Sequence, residues 1–370
     1  LYTIDFRLIG RPEMTSHLMV AVYLYLFWKY YYRPSKWIYA LIPLQILWTN
    51  MHEAYGTGMI LMSVYWLASC IQFRFWPVDS LKKDKLVELS KAVGIALIAV
   101  ALNPRGIQMY WHPFEIYAQL GDNQFTTELA PIWKRSYWEP QAYFNMLFFA
   151  LSLVLIALTP FIGRTKVKEQ KNTKAKKRTQ KTGAVSKAKR LNWWQHNIHR
   201  FGLANGTICL MLFYLSLTAF RNIPFFIIAT APLVAISIQL IINKFIKVRT
   251  AYGLAILCAL LFYGAVISGK YHEWSKSRDQ YGLQVLASHN PVGAANFIKE
   301  HQIQGTCFAD YLTSSYLLWN LQPDFKTYID LRDLDIFSKD FFTDFAQITA
   351  VPSLFDEKVD SFDFNYVVLF

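Results

Sequence analysis

The chain has 370 residues, of which 54% are hydrophobic and 17% aromatic, with a formal net charge of +13. So apolar a composition argues against an ordinary soluble domain. The apolar residues fall in blocks rather than alternating, which excludes a sheet-dominated architecture for most of the chain. No CxxC pair, zinc-ligand spacing, Walker loop or GxGxxG is present, and Cys70, Cys209 and Cys258 sit inside apolar blocks, leaving Cys307 alone in the more polar C-terminal part.

In chain order, eight apolar segments read as membrane-spanning helices: 15–31, 37–50, 54–73, 87–103, 141–163, 200–220, 224–243 and 251–269. A span needs about 20 apolar residues to cross a hydrocarbon layer of about 30 Å. The second segment is the shortest and contains Pro43. After Lys270 the pattern becomes mixed. The predicted architecture is therefore mainly α, a polytopic transmembrane helical bundle over 1–270 followed by a small α/β soluble domain over 271–370. Leu1 lies within a polar stretch that should be outside, with no signal segment ahead of it, so the sequence is expected to be a fragment with an odd number of spans missing upstream.

Orientation follows from charge. Residues 164–190, "RTKVKEQKNTKAKKRTQKTGAVSKAKR", hold twelve Lys or Arg and one Glu. The run lacks aromatic residues for base stacking and joins two spans, so 164–197 reads as a solvated cytoplasmic loop, not a nucleic-acid site. "KYYYRPSK" (29–36), "RFWPVDSLKKDK" (74–85) and "NKFIKVRT" (243–250) are basic and fall on the same side. The opposite, extracytoplasmic face then receives 7–15, 49–53, the aromatic segment 104–140, 220–224 and everything after 270.

That outer face collects polar groups. Residues 37–73 barely hold two spans and a turn, so Asn50, His52 and Glu53 in "WTNMHEAYG" should be drawn to the edge of the apolar layer. Ionisable groups are tolerated there when protein or a water-filled cavity surrounds them. "GRPEM" brings Arg11 and Glu13 to another span, "LNPRG" brings Asn103, and "FRNIP" brings Arg221. A shared polar cavity opening outward is the expectation, with 104–140 lying on the membrane as an interfacial segment and Glu128 and Trp138 lining a groove. Each residue also has a plainer reading: Arg11 and Arg221 as interfacial anchors, Asn50 and Asn103 as helix or turn caps, Glu13 in a first helical turn, His52 bonded to a neighbouring carbonyl.

From 291 the pattern reads helix, "GTCFAD" strand, "LTSSYLLWNL" helix, "KTYID" strand, "LDIFSKDFFTDFAQI" helix, a loop, and "NYVVLF" strand. This alternation predicts a parallel sheet with Asp310 and Asp330 at the carboxyl ends of adjacent strands. The plainer reading makes Asp310 a helix cap and pairs Asp330 with Arg332.

The ordered set "RPEMTSHLMVAVYLYLF", "LQILWTNMHEAYGTGMILM", "LNPRG", "TTELAPIW" and "RNIPFFIIATAPL" resembles bacterial polytopic proteins of the GT-C glycosyltransferase superfamily, related to protein mannosyltransferases and the aminoarabinose transferase of lipid A. "NPVGAANFIKE" and "GTCFADYLTSSYLLWNLQPDFKTYIDLRDLDIF" resemble that group's trailing domain, where Asp330-Leu331-Arg332 stands in place of an Asp-Gly-Arg. The resemblance implies a bacterial inner-membrane enzyme that moves a sugar from a polyprenyl-phosphate carrier to an envelope acceptor on the outer side. It implies no organic cofactor. It also implies an acidic residue in the first outer loop, acting as base or divalent-metal partner, upstream of Leu1.

Chemically, a lipid-phosphate leaving group calls for Arg221 or Arg11, and an acceptor hydroxyl or amine calls for a base such as His52 or Glu53. Two other classes compete. A transporter or assembly factor for envelope polysaccharide would more often place ionisable groups at mid-membrane and show repeated halves. A polysaccharide polymerase or ligase of another fold also combines many helices with a large outer segment.

Overall fold

The computed structural model describes residues 12–76, 80–116, 131–134, 146–147, 149–154, 203–275, 281–282, 285–287, 290–331 and 337–369. The basic segment 164–197 therefore lies outside the described residues, as does most of 104–140 beyond residue 116. The chain divides into two compact units, Leu1–Ala251 and Tyr252–Phe370.

The first unit is helical. Helix α1 (Glu13–Tyr32) starts behind Pro12 with Glu13 in its first turn. It stops at Arg33, whose φ of −139° and ψ of 75° lie outside the helical region that the following Pro34 disfavours. A 3₁₀ turn, Lys36–Ala40, runs into α2 (Leu41–Thr49). The larger rise per residue of that turn lets 14 residues reach about 24 Å, still short of the about 30 Å of α1 and of the helix that follows. Then follow α3 (Tyr55–Phe75) and α4 (Lys83–Ile98), the 3₁₀ turns Ala99–Ala101 and Gly106–Tyr110, α5 (Leu203–Thr218), the 3₁₀ turn Phe220–Asn222, and α6 (Ile223–Phe245). Pro224 sits in the first turn of α6, where its missing N–H costs nothing, and Pro232 lies inside the helix.

Helices α1, α3 and α6 start, and α2, α4 and α5 end, at one and the same end of the bundle. The pairs in contact include α3 with α5, α5 with α6, α2 with α4 and α1 with α6. On α1 the buried residues Ser16, Val20, Tyr23, Phe27 and Tyr30 recur every three or four positions. The far side of the same helix exposes Leu18, Tyr25 and Tyr32, and α3 similarly exposes Ile60, Trp66, Leu67 and Phe75. Helices α1 and α3 thus carry apolar residues on their outward faces as well as their inward ones. At one end of the bundle Tyr30 donates to Lys85 O across 2.8 Å, tying the basic end of α1 to the basic start of α4. Within the bundle, Gly58 of α3 allows a close approach: a Cβ there would lie 2.6 Å from Gln45 Oε1 and 2.7 Å from the Trp48 ring on α2. Gln45 is itself fully buried, accepting from Tyr23 (2.8 Å) and donating to Thr49 Oγ1 (3.2 Å).

Among the described residues two helices, Tyr55–Phe75 and Arg249–Ile267, are long and apolar enough to cross a membrane. The expectation of eight such spans is therefore met only in part. Helix α5 has 16 residues, α4 carries Lys83, Asp84, Lys85, Glu88 and Lys91 in its own 16, and α2 is interrupted by its 3₁₀ start. Of the expected span 141–163, only 146–147 and 149–154 are described, as helix.

The second unit opens with α7 (Val248–Ile267), which straddles the division and whose candidate spanning window is 0% buried, and α8 (Lys270–Ser275). It continues as α9 (Val292–Glu300), β1 (Thr306–Ala309), α10 (Tyr311–Leu321), β2 (Lys326–Thr327), α11 (Lys339–Ala350), α12 (Pro352–Phe362) and β3 (Phe364–Val368). The three strands are parallel in the order β2-β1-β3. Strand alternation splits the core: Cys307 and Ala309 join Ala295, Ile298 and Leu317, whereas Phe308 joins Tyr328, Phe342 and Phe364. Both sheet faces are thus covered by helices, as a parallel sheet requires. The expected loop between the last helix and the last strand is instead α12, nucleated by Pro352 in its first turn. Asn365 forms a bulge in β3 and accepts from Thr306 N across 2.7 Å; Gly305, with φ of +111°, leaves the space that this side chain fills.

Candidate functional site

At the end of the bundle away from Tyr30 and Lys85, four chain turns converge: the start of α1, the α2–α3 turn, the segment after α4, and the α5–α6 turn. The α2–α3 turn is the hub. Asn50 ends α2, and its amide donates to Ile46 O (2.7 Å) and Leu102 O (3.0 Å). Asn103 donates to Asn50 Oδ1 (3.0 Å) and Thr49 O (3.4 Å), while its own Oδ1 accepts from Arg105 N (3.0 Å). Both amides therefore do what orphan groups at helix ends require, joining the end of α2 to the chain leaving α4. Tyr55 extends the seam by donating to Met109 O across 2.6 Å.

Glu53 and Arg221 form the charged part. Arg221 lies in the 3₁₀ turn that opens α6, and its Nη2 donates to Glu53 Oε1 across 3.1 Å. The side chains keep 24% and 33% of their surface exposed. Water is thus partly excluded from the pair. An exposed pair is worth about 1 kcal/mol or less, whereas removing one partner of a covered pair costs more because it strands the other charge. One bond to Glu53 orients the guanidinium while its fork carries further donors.

His52, next in sequence, turns toward α1. Its Nδ1 is 2.9 Å from Ser16 Oγ and also accepts from Ala54 N across 3.2 Å. Ser16 is fully buried and accepts from the Trp48 indole across 2.8 Å. His17, also buried, sets its ring edge-on to Phe225 of α6 at 5.3 Å. Glu13 is half-buried one turn before Ser16 and His17. Residues 131–134 approach the same end, with Ile132 N donating to Leu217 O across 3.3 Å.

His52, Glu53, Asn50, Asn103 and Arg221 are therefore brought together, with Glu13 on the same end. Arg11, Glu128 and Trp138 lie outside the described residues, as do 117–130 and 135–140, on which the expected groove and outward-opening cavity depend. Ser16 and Trp48 were missed by the sequence reading. Each is an ordinary residue of an apolar span, and no local spacing signals a bond across 32 or 36 positions.

In the second unit Asp310 follows β1 and caps α10: Oδ1 accepts from Leu312 N (3.1 Å) and Thr313 N (3.0 Å), and Oδ2 from the Thr313 hydroxyl. This is the capping role, with its acceptors turned to the helix. Asp330 follows the adjacent strand β2 and is 2% exposed; its neighbour Leu331 N donates to Ser315 Oγ across 3.0 Å. Arg332 lies outside the described residues. Burial pushes the Cys307 thiol up to about 12. The Lys358 ammonium, 2.8 Å from Asp344 Oδ2, holds that carboxyl below its usual range, and Tyr328 donates to the same oxygen across 2.9 Å.

Among the described residues no group of three or more His, Cys, Asp or Glu side chains is placed to hold a metal ion. Comparison with protein-family models, with curated proteins and with solved structures returns no match.

Proposed function

We propose that the chain is part of a polytopic bacterial inner-membrane glycosyltransferase, with the α2–α3 turn on the extracytoplasmic side, that transfers a sugar from a polyprenyl-phosphate carrier to an envelope acceptor. The observation that carries this reading is the Arg221–Glu53 pair, at one end of a bundle whose helices α1 and α3 are apolar on both faces.

Lipid is the environment that such helices fit. Helix α7 exposes Tyr252, Ile256, Leu260, Leu261 and Tyr263 around its circumference. In water each fully exposed large apolar side chain forgoes about 1.5–3 kcal/mol of burial, and in a bilayer it forgoes none. The basic helix ends, at Lys29, Arg74, Lys83 and Lys247, favour the cytoplasmic side. The polar end then faces outward, where lipid-linked sugars are used.

At that end the roles follow from the side chains. Arg221 supplies a planar, permanently charged donor set for the carrier phosphate, where negative charge accumulates as the sugar leaves. Glu53 keeps the fork oriented before substrate arrives. His52, next to Glu53 in sequence, is held by Ser16 and Ala54 on the α1 side of the turn. The gathering of charged groups at one end supports a surface site over a mid-membrane transport path.

The test is a transfer assay with the full protein in lipid nanodiscs and a polyprenyl-phosphate-linked sugar. Wild type should form product, and Arg221→Lys should remain folded and lose most of it. Product formation undiminished in Arg221→Lys would remove the phosphate-binding role.

A further inference from the structure

The second unit covers its parallel sheet with two helix layers, and the outward surfaces of those layers differ in kind. Helices α9 and α10 touch one another and lie on the sheet face lined by Cys307 and Ala309, where Ala295, Ile298 and Leu317 pack. On α10 the buried residues Thr313, Ser314 and Leu317 mark the inward side. Leu312, Tyr316 and Trp319 recur at helical spacing on the opposite side and form one stripe. Leu312 is 70% exposed and Trp319 69%, and the rings of Tyr316 and Trp319 lie 5.9 Å apart. On α9, Phe297 is 53% exposed on the side away from buried Ala295 and Ile298, and it stacks on His301. The outer face of a surface helix is ordinarily polar. Here two neighbouring helices place large apolar side chains there. The other layer is the reverse. Asp340 on α11, Asp356 and Glu357 on α12, and Asp363 just after it are all exposed. Its exposed ring, Phe362, has the Lys358 ammonium 5.6 Å from its centre.

We infer that the α/β part of the second unit rests on the surface of the lipid bilayer through the outward face of α9 and α10, with Phe297, Leu312 and Trp319 entering the headgroup region and the acidic α11–α12 face turned to water. Exposed apolar patches mark protein or membrane contacts. Charge selects the membrane: a negatively charged lipid surface repels the acidic layer, whereas on α9 Lys299 and Glu300 offset one another and α10 carries no charged side chain. Residue type agrees, because Trp and Tyr favour the boundary between hydrocarbon and water, with the ring in the apolar layer and the polar atom outside it. Connectivity agrees as well. Helix α7, apolar around its circumference, leads through α8 into this domain, so the tether that holds the domain begins in the membrane. The inference rests on the membrane-spanning reading of α7 under the proposed function and is independent of the sugar-transfer chemistry.

The experiment places a nitroxide on single introduced cysteines in the full chain, in nanodiscs of phosphatidylethanolamine and phosphatidylglycerol. Cys70, Cys209 and Cys258 are replaced by alanine and the fully buried Cys307 is kept. Collision rates with lipid-soluble oxygen and with a water-soluble nickel chelate are compared for Leu312→Cys and Trp319→Cys on α10, Asp356→Cys on α12 and Leu260→Cys on α7. The oxygen-to-nickel ratio should be several-fold higher for both α10 labels than for Asp356→Cys, and high for Leu260→Cys. Either α10 variant serves if the other does not fold. A ratio for the α10 labels equal to that of Asp356→Cys means a face in water and overturns the inference. Low collision with both reagents on α10 means a face covered by protein, from this chain or a second copy, and overturns it equally. A nickel-dominated Leu260→Cys label would remove the membrane reading and this inference with it, whereas an oxygen-dominated one beside water-exposed α10 labels sinks this inference alone.

Discussion

Arg221 Nη2 donates to Glu53 Oε1 across 3.1 Å, joining residues 168 positions apart at the meeting point of two helix turns. If Glu53 serves to orient the guanidinium, Glu53→Gln should weaken transfer chiefly by raising KM, Arg221→Ala should remove most of it, and the two changes should be non-additive. A double-mutant cycle on kcat/KM measures the coupling; interacting charged neighbours typically couple by about 0.5–3 kcal/mol. Additive losses would separate the two residues functionally.

Replacing His52 by Ala removes the ring and should lower turnover by about a hundredfold. His52→Gln keeps a polar amide in place but carries no titratable proton, so an acid or base role predicts an equal loss in both variants. Markedly higher activity in Gln than in Ala would assign His52 a hydrogen-bonding role instead. Steady-state transfer rates of the two variants, at equal folded concentration, decide between these.

Gly58 and Gly94 make opposite predictions from similar helical settings. A Cβ on Gly58 meets Gln45 and Trp48 at under 3 Å, whereas one on Gly94 meets nothing within 4 Å. Gly58→Ala should destabilise the bundle by about 1–3 kcal/mol through overpacking. Gly94→Ala should be neutral or stabilising by up to about 1 kcal/mol. Thermal melts in detergent give the comparison.

The Asp344 carboxyl is held below its ordinary value by the Lys358 hydrogen bond. A carboxylate with a lowered folded-state pKa adds stability that is present above its unfolded value, about 3.9, and is lost as pH falls through the folded one. Melting curves at decreasing pH should therefore show the C-terminal unit losing more stability in wild type than in Asp344→Asn, with the difference vanishing at strongly acidic pH. Parallel curves at all pH values would deny the linkage.

Topology is tested by insertion. A reporter within 170–185 should be cytoplasmic and one placed after 275 should be outside. The reverse result would put the Arg221–Glu53 pair on the cytoplasmic side and exclude use of an externally presented lipid-linked sugar.

The amino-acid sequence by itself determined roughly where the helices lie. The apolar blocks 15–31, 54–73 and 224–243 fall within a few residues of α1, α3 and α6, and the polar interruption Asn50–Glu53 marked the turn between α2 and α3. It also foretold the parallel α/β tail, because alternating strand and helix patterns are local, although it read α12 as a loop. Tertiary structure alone decided which polar groups meet. Periodicity reports which face of a helix is apolar but says nothing of the neighbour that covers it. In apolar helices with no polar face even that signal is weak. The Glu53–Arg221 pair and the Trp48–Ser16–His52 chain therefore emerge only when the helix ends are brought together. The same packing turned Asn50 and Asn103 from open binding candidates into the link between α2 and the end of α4, because the orphan carbonyls of those helix ends needed donors.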